Sequence, residues 1–531
     1  MTAINEQLDL ILAHQIQRRA GIEGDRDVVT FENSHGADEI RSYSMLWDNG
    51  RRVAAALAEE GMQKGDRFAL LLQNHPEFID TMVGSSIAGT VYVPIDPRTK
   101  GDKLLFMLRH SGCRGVVCGD YNLHAVLHIL DQAPQIEWIW VLGHTASELP
   151  RALRQRAFAG ILQMPVPDVA IAVNDPAEIM QIMYTSGTTG DPKGVVVRNA
   201  RWGAVGGWSS FFGFQRDDRP YTGLSLTHGN AQLMTLASSL RLGMRAVFSR
   251  KFTKSRLWDI SRKYGCTTFN LLGGMTTAIY SEEPRPDDRD NPVRFVISAG
   301  MPAAIWSDFE RRFDVRILEV YAAVEGGLTI NPIGVGPVGS IGKPPAGLVA
   351  RIVDENENDV APFERGEIIF RPASGPAPVV DYFNNAEASA KKTAGGWLRM
   401  GDIGHFDNEG WMYFDYRVGG GIRHNGEFIS TDFVEKAIAE SPKVSDVFVY
   451  GVSAASGAPG EKDVVAAVVL TPGTSFADAG LFYWCRHKLE SALVPSYFQV
   501  VDEIPKTASE KPLERILLEE FSPTAANVFT K

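Results

Sequence analysis

The sequence has no long apolar run, little cysteine and no excess of positive charge. No apolar segment reaches the roughly 18 residues of a membrane span. The N-terminal stretch MTAINEQLDLILAHQIQRR contains acidic residues and lacks a signal-peptide core, so an amphipathic helix is predicted there. A net charge of −11 argues against general binding to nucleic acid or to anionic membranes. These absences favour a cytoplasmic protein with no membrane span and no nucleic-acid partner.

Cysteine is also too sparse to build a disulfide framework. The 531 residues contain four cysteines, namely Cys113, Cys118, Cys266 and Cys485. Cys113 and Cys118 have no second pair and no histidine set at metal-ligand spacing, so neither zinc nor disulfides are suggested. Reduced thiols in a cytoplasmic protein are expected. The chain is too long for one hydrophobic core, so two or more domains are predicted.

Helical and strand patterns alternate over the first part of the chain, about 420 residues. Helices are predicted at 45–60 and 76–88, and strands at 67–72 and 91–95. This alternation is typical of an α/β fold with mostly parallel sheets. A β-rich subdomain is predicted near the end of this block from the segments 366–370 and 410–416.

Three consecutive glycines, Gly419, Gly420 and Gly421, then indicate a pivot. After them we expect a small α+β domain: a helix capped by Ser430 and running to Glu440, strands at 444–452 and 464–470, and a helix at 476–490. The predicted domains are therefore 1–419, which is large, and 420–531, which is small and mobile.

One short loop carries the strongest chemical signal. Apolar strands are predicted at 179–184 and 195–197, and the residues between them that suit a ligand are Thr185, Ser186, Gly187, Thr188, Thr189, Gly190 and Lys193. Glycines let backbone N–H groups approach a ligand, hydroxyls donate hydrogen bonds and lysine adds a charge, so a polyphosphate suits this loop. A flexible hairpin is the alternative. A Walker A loop fits poorly because Lys193 lies between Pro192 and Gly194.

Several separated motifs extend this signal along nearly the whole chain. They are TSGTTGDPKG at 185–194, LTHGN at 226–230, SAGMP at 298–302, YAAVE at 321–325, GSIGKP at 339–344, GWLRMGD at 396–402, YRVGGGIRHNGE at 416–427 and PKTASEK at 505–511. In this order they resemble the adenylate-forming superfamily, which includes acyl-CoA synthetases, firefly luciferase and peptide-synthetase adenylation domains. Residues 221–325 are most similar to the fatty-acid transport protein and carnitine-CoA ligase branches.

The resemblance implies a ligase that uses ATP, Mg²⁺ and coenzyme A. A carboxylic acid is activated as acyl-AMP with release of pyrophosphate, and a thiol then takes the acyl group. The implied partners are the acid and coenzyme A, together with a downstream acyl-accepting enzyme if the reaction stops at acyl-AMP, and a second copy in a homodimer.

The resemblance also implies a role for each matching residue. Thr185, Ser186, Gly187, Thr188, Thr189, Gly190 and Lys193 would hold the β- and γ-phosphates. Glu325 would bind Mg²⁺, and Lys511 would reach the α-phosphate and the carboxylate from the small domain. Tyr321 and Ala322, with Ser298, Ala299 and Gly300, would surround adenine. Asp402 would accept hydrogen bonds from both ribose hydroxyls, and Arg417 would contact the ribose or the phosphate. His228 would lie at the mouth of the acyl pocket, with a buried core histidine as the alternative.

The sequence departs from the family pattern at a few informative positions. Ala322 and Val324 replace the usual Gly and Thr, which removes one hydroxyl near the α-phosphate. Gly420 replaces the hinge aspartate, Asn425 replaces a glycine of the pantetheine tunnel, and Glu510 replaces the glycine before Lys511. The Val324 change bears on adenylation, and the Gly420 and Asn425 changes bear on thioester formation.

Three alternatives to an acyl-CoA synthetase remain at this stage. One is an enzyme that forms acyl-AMP only and passes it to a partner, a second is a non-catalytic ATP- or acyl-binding regulator, and a third is a luciferase-type oxygenase. The acid itself is not specified. Gly273-Gly274 and Gly326-Gly327 suggest a pocket widened for a branched or polycyclic acid, although the same glycines suit close backbone packing.

Overall fold

A computed structural model describes residues 7–33, 36–149, 153–185, 192–207, 211–417, 421–424, 427–455, 462–489, 493–507 and 510–531. The chain forms two compact units. The first comprises Met1–Thr253, Ile260–Asn270 and Asp381–Ser389, and the second comprises Lys254–Asp259, Leu271–Val380 and Ala390–Lys531. The predicted boundary between residues 419 and 420 stays a prediction.

The strands in chain order are β1 (Asp27–Glu32), β2 (Glu39–Ser42), β3 (Arg67–Leu71), β4 (Val91–Pro94), β5 (Gly115–Gly119), β6 (Trp138–Leu142), β7 (Arg154–Ala157), β8 (Ile179–Thr185), β9 (Lys193–Arg198), β10 (Pro220–Thr222), β11 (Ala246–Ser249), β12 (Thr268–Leu272), β13 (Phe295–Ala299), β14 (Arg316–Ala323), β15 (Gly326–Asn331), β16 (Leu348–Val353), β17 (Gly366–Pro372), β18 (Leu398–Phe406), β19 (Met412–Arg417), β20 (Gly421–His424), β21 (Glu427–Ser430), β22 (Val444–Ser453), β23 (Lys462–Leu470), β24 (Tyr497–Val500) and β25 (Val528–Thr530).

The α-helices are α1 (Leu12–Glu23), α2 (Tyr43–Glu59), α3 (Pro76–Ala88), α4 (Gly101–Ser111), α5 (Asp120–Ile129), α6 (Phe158–Leu162), α7 (Asn199–Gly207), α8 (Ser238–Leu242), α9 (Leu257–Tyr264), α10 (Gly273–Tyr280), α11 (Ala303–Phe313), α12 (Ala386–Lys392), α13 (Thr431–Ala439), α14 (Phe476–Ala479), α15 (Leu481–Lys488) and α16 (Glu514–Glu520). A π-helix spans Asn230–Ala237, and short 3₁₀ turns lie at Leu130–Gln132, Lys254–Arg256 and Ala394–Gly396.

The first unit contains a seven-stranded sheet in the order β7-β6-β5-β3-β4-β8-β9. Every neighbouring pair in it is parallel except β8 and β9, which are antiparallel. Strands β12, β10, β11 and β1 also pair in parallel, and β2 adds an antiparallel edge to β1. The predicted α/β class with mostly parallel sheets is confirmed.

The helices of this unit begin and end where the sequence provides the signals. Helix α3 has proline at its first position and ends at Gly89, which has a φ of 74°. Its bounds are those predicted. Ser42 caps α2 by accepting a hydrogen bond from the Met45 amide, so the helix begins two residues earlier than the predicted start at Met45. Apolar residues from β3 to β6 and from helices α4 and α5 form a continuous buried core.

In the second unit, the predicted β-rich segment is a four-stranded antiparallel sheet in the order β16-β17-β18-β19. The C-terminal part has its own four-stranded sheet, β22-β23-β24-β25, and the hairpin β20-β21. Ile422, Val434, Val464 and Phe498 are among the buried residues of a core that these elements share. This arrangement confirms an α+β fold for the C-terminal part.

The single helix predicted at 476–490 is wrong. Two helices, α14 and α15, replace it, with Gly480 between them at a φ of 57°. A residue in the left-handed region ends an α-helix, and glycine adopts that conformation at little steric cost.

All four cysteines are buried and free, as expected for reduced thiols. Burial raises the pKa of Cys113, Cys118, Cys266 and Cys485 to about 12, so none is a reactive thiolate at neutral pH. Within the described ranges, no helix is both long enough and apolar enough to cross a bilayer.

Candidate active site

The predicted phosphate loop connects two strands of the seven-stranded sheet. Strands β8 and β9 pair antiparallel, with Thr185 opposite Lys193 at the open end of the ladder. Ser186, Gly187, Thr188, Thr189 and Gly190 lie outside the described residues, so their predicted contacts with phosphate stay predictions. The strand–loop–strand arrangement that the sequence predicted is confirmed on both flanks of the loop.

The base of this loop is fixed by a second segment of the same unit. The amide of Val196 donates to the Asp381 carbonyl at 2.8 Å, and the amide of Phe383 donates to the Gly194 carbonyl at 2.8 Å. The Lys193 side chain is exposed, and its Nζ lies 5.6 Å from the centre of the Tyr382 ring. An ammonium group near an aromatic face is attracted to the ring without forming a directional hydrogen bond. Lys193 is therefore available to an anion.

His228 lies in a tight turn just before the π-helix. Its amide donates to the Ser225 carbonyl at 2.9 Å, and its Nδ1 accepts from the Asn230 amide at 3.1 Å. Because Nδ1 is an acceptor, the proton of the neutral ring lies on Nε2. The ring is half-buried rather than enclosed, which favours the predicted place at a pocket mouth over a buried core histidine.

Two buried amides hold the turn that precedes His228. Asn74 is fully buried, donates to the carbonyls of Leu224 and Ser249 at 2.8 Å each, and accepts from the Leu226 amide at 2.8 Å. Gln232 donates to the Leu226 carbonyl at 2.6 Å. Sequence analysis did not identify Asn74, which lies 154 positions before His228 in the numbering.

In the second unit, Asp402 organises a compact polar cluster. Its carboxylate is 1% exposed and accepts from Arg417 Nε at 2.6 Å, from Arg417 Nη2 at 3.1 Å and from the Tyr321 hydroxyl at 2.5 Å. Strand pairing places Asp402 directly opposite Arg417. The hydrogen bond to Asp402 raises the pKa of Arg417, and burial raises the pKa of Tyr321. Three of the residues predicted to bind the nucleoside are thus in direct contact.

These contacts limit what Asp402 can still accept. Each carboxylate oxygen has two lone pairs. Among the described residues, Oδ2 accepts from both Arg417 and Tyr321, whereas Oδ1 accepts only from Arg417 Nε. A single lone pair on Oδ1 is left for a ribose hydroxyl. The predicted contact with both ribose hydroxyls therefore requires Arg417 or Tyr321 to give up a bond.

The SAGMP segment is held by a residue that the sequence analysis missed. Glu319 on β14 is buried, and its carboxylate accepts from the Gly300 amide at 2.5 Å and from the Met301 amide at 3.2 Å. Burial raises the pKa of Glu319 to about 7. In the sequence, the signal for Glu319 was a single acidic residue inside the otherwise apolar strand segment RILEV.

Two of the residues predicted to surround adenine differ in exposure. Ser298 is buried, whereas Gly300 is exposed at a φ of 99°, so Gly300 is the more accessible of the two.

The predicted magnesium ligand lies in a two-residue turn. Ala323 pairs with Gly326 between β14 and β15, which leaves Val324 and Glu325 at the tip of the hairpin. Both side chains are half-buried, and Ala322 is exposed. A carboxylate at an accessible tip suits Mg²⁺, a hard cation that prefers oxygen ligands. Glu325 therefore fits the predicted role.

Lys392 is a further cation in this cluster that sequence analysis did not identify. It ends α12, and its Nζ donates to the Met400 carbonyl at 3.1 Å. Burial lowers the pKa of Lys392, and the attraction of Glu325 partly opposes this effect. Two positive groups, Lys392 and Arg417, therefore lie within electrostatic reach of Glu325 and Asp402.

The segment before Lys511 folds back on itself. The Thr507 amide donates to the Lys511 carbonyl at 2.7 Å, and the Glu510 amide donates to the Thr507 carbonyl at 2.9 Å. Glu510 has a φ of 60°, in the left-handed region that glycine favours. This backbone conformation gives a physical reason for the glycine that the family has at this position. The predicted contact of Lys511 with the reacting groups stays a prediction.

Gly326 and Gly327 are closely packed against neighbouring side chains. A Cβ on Gly326 would lie 2.6 Å from Leu398 Cδ2, and a Cβ on Gly327 would lie 2.8 Å from Phe370 Cδ2. Both also have positive φ values, 144° and 70°. Close packing in a strained turn explains Gly326 and Gly327, so these two glycines give no support for a widened pocket.

The comparisons with known proteins agree with this picture. The family model described as AMP-binding enzyme matches residues 16–376, and the model of the AMP-binding enzyme C-terminal domain matches residues 434–511. A crotonobetaine/carnitine–CoA ligase from Salmonella typhimurium is 29% identical over 516 residues, which is 94% of this chain and 97% of that protein.

Solved structures share the fold. A benzoate CoA ligase from Burkholderia xenovorans superposes with a TM-score of 0.80 at 22% identity and covers 95% of this chain and 99% of its own. The o-succinylbenzoate coenzyme A synthetase of Bacillus subtilis, solved with ATP and a magnesium ion, gives a TM-score of 0.74 at 24% identity, with coverage of 95% and 99%.

The resemblance read from the motifs is thus confirmed, since a single family model spans well over half of the residues. Lys193, His228, Tyr321, Glu325, Asp402 and Arg417 lie in those motifs, whereas Asn74, Glu319 and Lys392 lie outside them. The chain belongs to the AMP-binding enzyme family.

Proposed function

We propose that this protein is an ATP-dependent acyl-CoA synthetase, which activates a carboxylic acid as acyl-AMP and transfers the acyl group to coenzyme A. The observation that carries the proposal is the cluster of Asp402, Arg417 and Tyr321, a buried carboxylate with two donors and one free lone pair. Family membership and full-length similarity to CoA ligases support the same reaction.

Within the first unit, Lys193 and the loop after Thr185 bind the β- and γ-phosphates. Lys193 is exposed on a firmly paired strand, which provides a charge on a rigid support. His228, as its Nε2–H tautomer, donates a hydrogen bond toward the acid at the pocket mouth.

Within the second unit, Asp402 binds the ribose and the Tyr321 ring contacts adenine. Glu325 holds the Mg²⁺ that accompanies ATP, and this ion neutralises phosphate charge when bound. Lys392 lies near Glu325 and limits the repulsion between this carboxylate and an incoming polyphosphate. Lys511 neutralises the charge that develops during adenylate formation.

Pyrophosphate exchange tests the first half-reaction. Purified protein is incubated with ATP, Mg²⁺, labelled pyrophosphate and a panel of fatty, aromatic, carnitine-like and steroid acids. Label should enter ATP only when an accepted acid is present. Exchange that is absent with every acid, although ATP binds, would instead support a nucleotide-binding regulator.

Consumption of coenzyme A tests the second half-reaction. With an accepted acid, thioester should form at a rate that depends on coenzyme A concentration. Acyl-AMP that accumulates without thioester would support the adenylate-only alternative and a downstream acyl-accepting enzyme. A homodimeric state, a cytoplasmic location and a small domain mobile about residue 420 stay predictions.

A further inference from the structure

A buried amide beside the π-helix has one end without a partner. Asn270 is 2% exposed, and its Nδ2 donates to Asn230 Oδ1 at 2.7 Å and to Thr235 Oγ1 at 2.9 Å. Its Oδ1 makes no hydrogen bond with any part of the chain that the structure describes. We name Asn230, Thr235 and Asn270 the amide cluster. A buried polar atom left unpaired costs roughly 1–3 kcal/mol of folding free energy. The unpaired end of the Asn270 amide, which we call its open end, therefore calls for an explanation.

The π-helical geometry is what brings this cluster together. Asn230 and Thr235 are five positions apart and bond to the same nitrogen of Asn270. In an α-helix residues three and four apart share a face, whereas the wider π-helical turn aligns residues five apart. The helix therefore presents both oxygens to Asn270, and such π-helical segments are frequent at functional sites.

The open end does not depend on how the amide is oriented. The oxygen and nitrogen of an asparagine are assigned from their partners rather than observed. If Asn270 and Asn230 were both turned over, Asn270 Oδ1 would accept from Asn230 and Thr235, and its Nδ2 would be left over. In either orientation one polar atom of Asn270 has no partner among the described residues.

A short chain of contacts links the amide cluster to the place predicted for the acid. The backbone amide of Asn230 donates to His228 Nδ1, and its side chain accepts from Asn270. His228 and Asn230 are half-buried, whereas Asn270 and Thr235 are buried behind them. The cluster thus leads inward from the residue that we place at the mouth of the acyl pocket.

The chemistry of the cluster restricts its ligand. Its three side chains are neutral, so a fixed charge on the ligand would be desolvated there without a counter-charge. A hydroxyl group can both donate and accept, and it therefore pairs with the open end of Asn270 in either orientation. We propose that the amide cluster recognises a hydroxyl group on the carboxylic acid, so that the preferred substrates are hydroxylated acids. This inference rests on the proposed function and specifies its substrate class.

Matched pairs of acids test it in the pyrophosphate-exchange assay. The pairs are benzoic with meta- and para-hydroxybenzoic acid, and hexanoic with beta- and omega-hydroxyhexanoic acid. The wild-type protein should use at least one hydroxy acid with a kcat/KM about tenfold or more above that of its partner, because one hydrogen bond that would otherwise stay unmade is formed. In Asn270→Leu and Asn270→Ala this ratio should fall to near one.

Asn199→Leu is the matched control. Asn199 is 1% exposed and donates one side-chain hydrogen bond to the Glu178 carbonyl. Within the described residues its Oδ1 is also unpaired, but none of its side-chain hydrogen bonds involves the π-helix. Its variant should keep the wild-type ratio. Thermal melting identifies any variant that does not fold, and the two Asn270 variants differ enough in volume for one to serve if the other fails.

The outcomes separate the inference from the proposed function. The inference alone is overturned if exchange shows no preference for hydroxy acids, or if both Asn270 variants keep the wild-type preference. In that case a trapped water molecule is the partner of the open end of Asn270. No exchange with either member of any pair or with the wider panel overturns the proposed function, and the inference with it.

Discussion

Replacement of Glu510 by glycine should stabilise the segment that carries Lys511. Glu510 has a φ of 60°, and Asp314, Glu357, Phe363 and Asn384 are the other non-glycine residues with positive φ in the described part of the chain. A left-handed conformation costs a residue with a Cβ about 1–2 kcal/mol. Glycine avoids that cost but loses about 0.5–1 kcal/mol more conformational entropy on ordering. The net gain for Glu510→Gly is therefore about 0.5–1 kcal/mol.

Hydrogen exchange of backbone amides measures this gain locally. Opening of the segment exposes the amides of Thr507 and Leu513, which donate to the carbonyls of Lys511 and Pro505 at 2.7 Å each. A gain of about 0.5–1 kcal/mol lowers the population of the open state about two- to fivefold, and exchange at both amides should slow by the same factor. Global melting is less suitable because a chain of this size need not unfold in one step.

Glu510→Ala is the matched control for the side chain. Alanine removes the carboxylate but keeps the Cβ, so it keeps the steric cost of the left-handed conformation. Any contact made by the Glu510 carboxylate is lost equally in both variants. Exchange should therefore be slower in Glu510→Gly than in Glu510→Ala. Equal rates in the two variants would refute the argument that backbone strain is stored at residue 510.

Three further predictions concern the proposed site. Lys511→Ala should abolish pyrophosphate exchange but largely spare thioester formation from supplied acyl-AMP, and exchange near the wild-type rate would remove Lys511 from the first half-reaction. Asp402→Asn should raise the KM for ATP and lower the melting temperature, because it removes the carboxylate charge to which the Arg417 guanidinium donates two hydrogen bonds; an unchanged KM would place Asp402 outside the nucleotide site. Glu319→Gln should gain stability relative to wild type as pH rises from about 5 to 7. The folded pKa of Glu319, about 7, lies above its ordinary value, so the folded state retains a proton that the unfolded state releases, and wild-type stability falls with rising pH in this window. Parallel denaturation curves at both pH values check this, and a stability difference that does not change with pH contradicts it.

Local pattern was sufficient to predict several helices and strands. The bounds of α3 follow from a proline, an apolar face and a glycine within one segment, and the strands on either side of the phosphate loop follow from two short apolar runs. The break at Gly480 was missed because apolar spacing continues across it, and only the backbone conformation shows that the helix ends there.

Motifs identified which side chains matter, but not how they are paired. The sequence determined that Asp402, Arg417 and Tyr321 belong to one site, because each lies in a segment typical of the family. It did not determine that Arg417 and Tyr321 already occupy three of the four lone pairs of Asp402. That fact depends on the register of β18 against β19 and on a contact that spans 81 positions of the chain.

Several candidate residues became visible only in the tertiary structure. Glu319 holds a loop that precedes it by 18 and 19 positions, Lys392 at the end of α12 lies near Glu325 in the β14–β15 turn, and Asn270 meets Asn230 across 40 positions. Helix and strand formation depend on neighbours a few positions apart, so the sequence records them as periodicity. Burial, charge pairing and an unpaired amide depend on which distant segments meet, and this was decided by the packing of the whole chain.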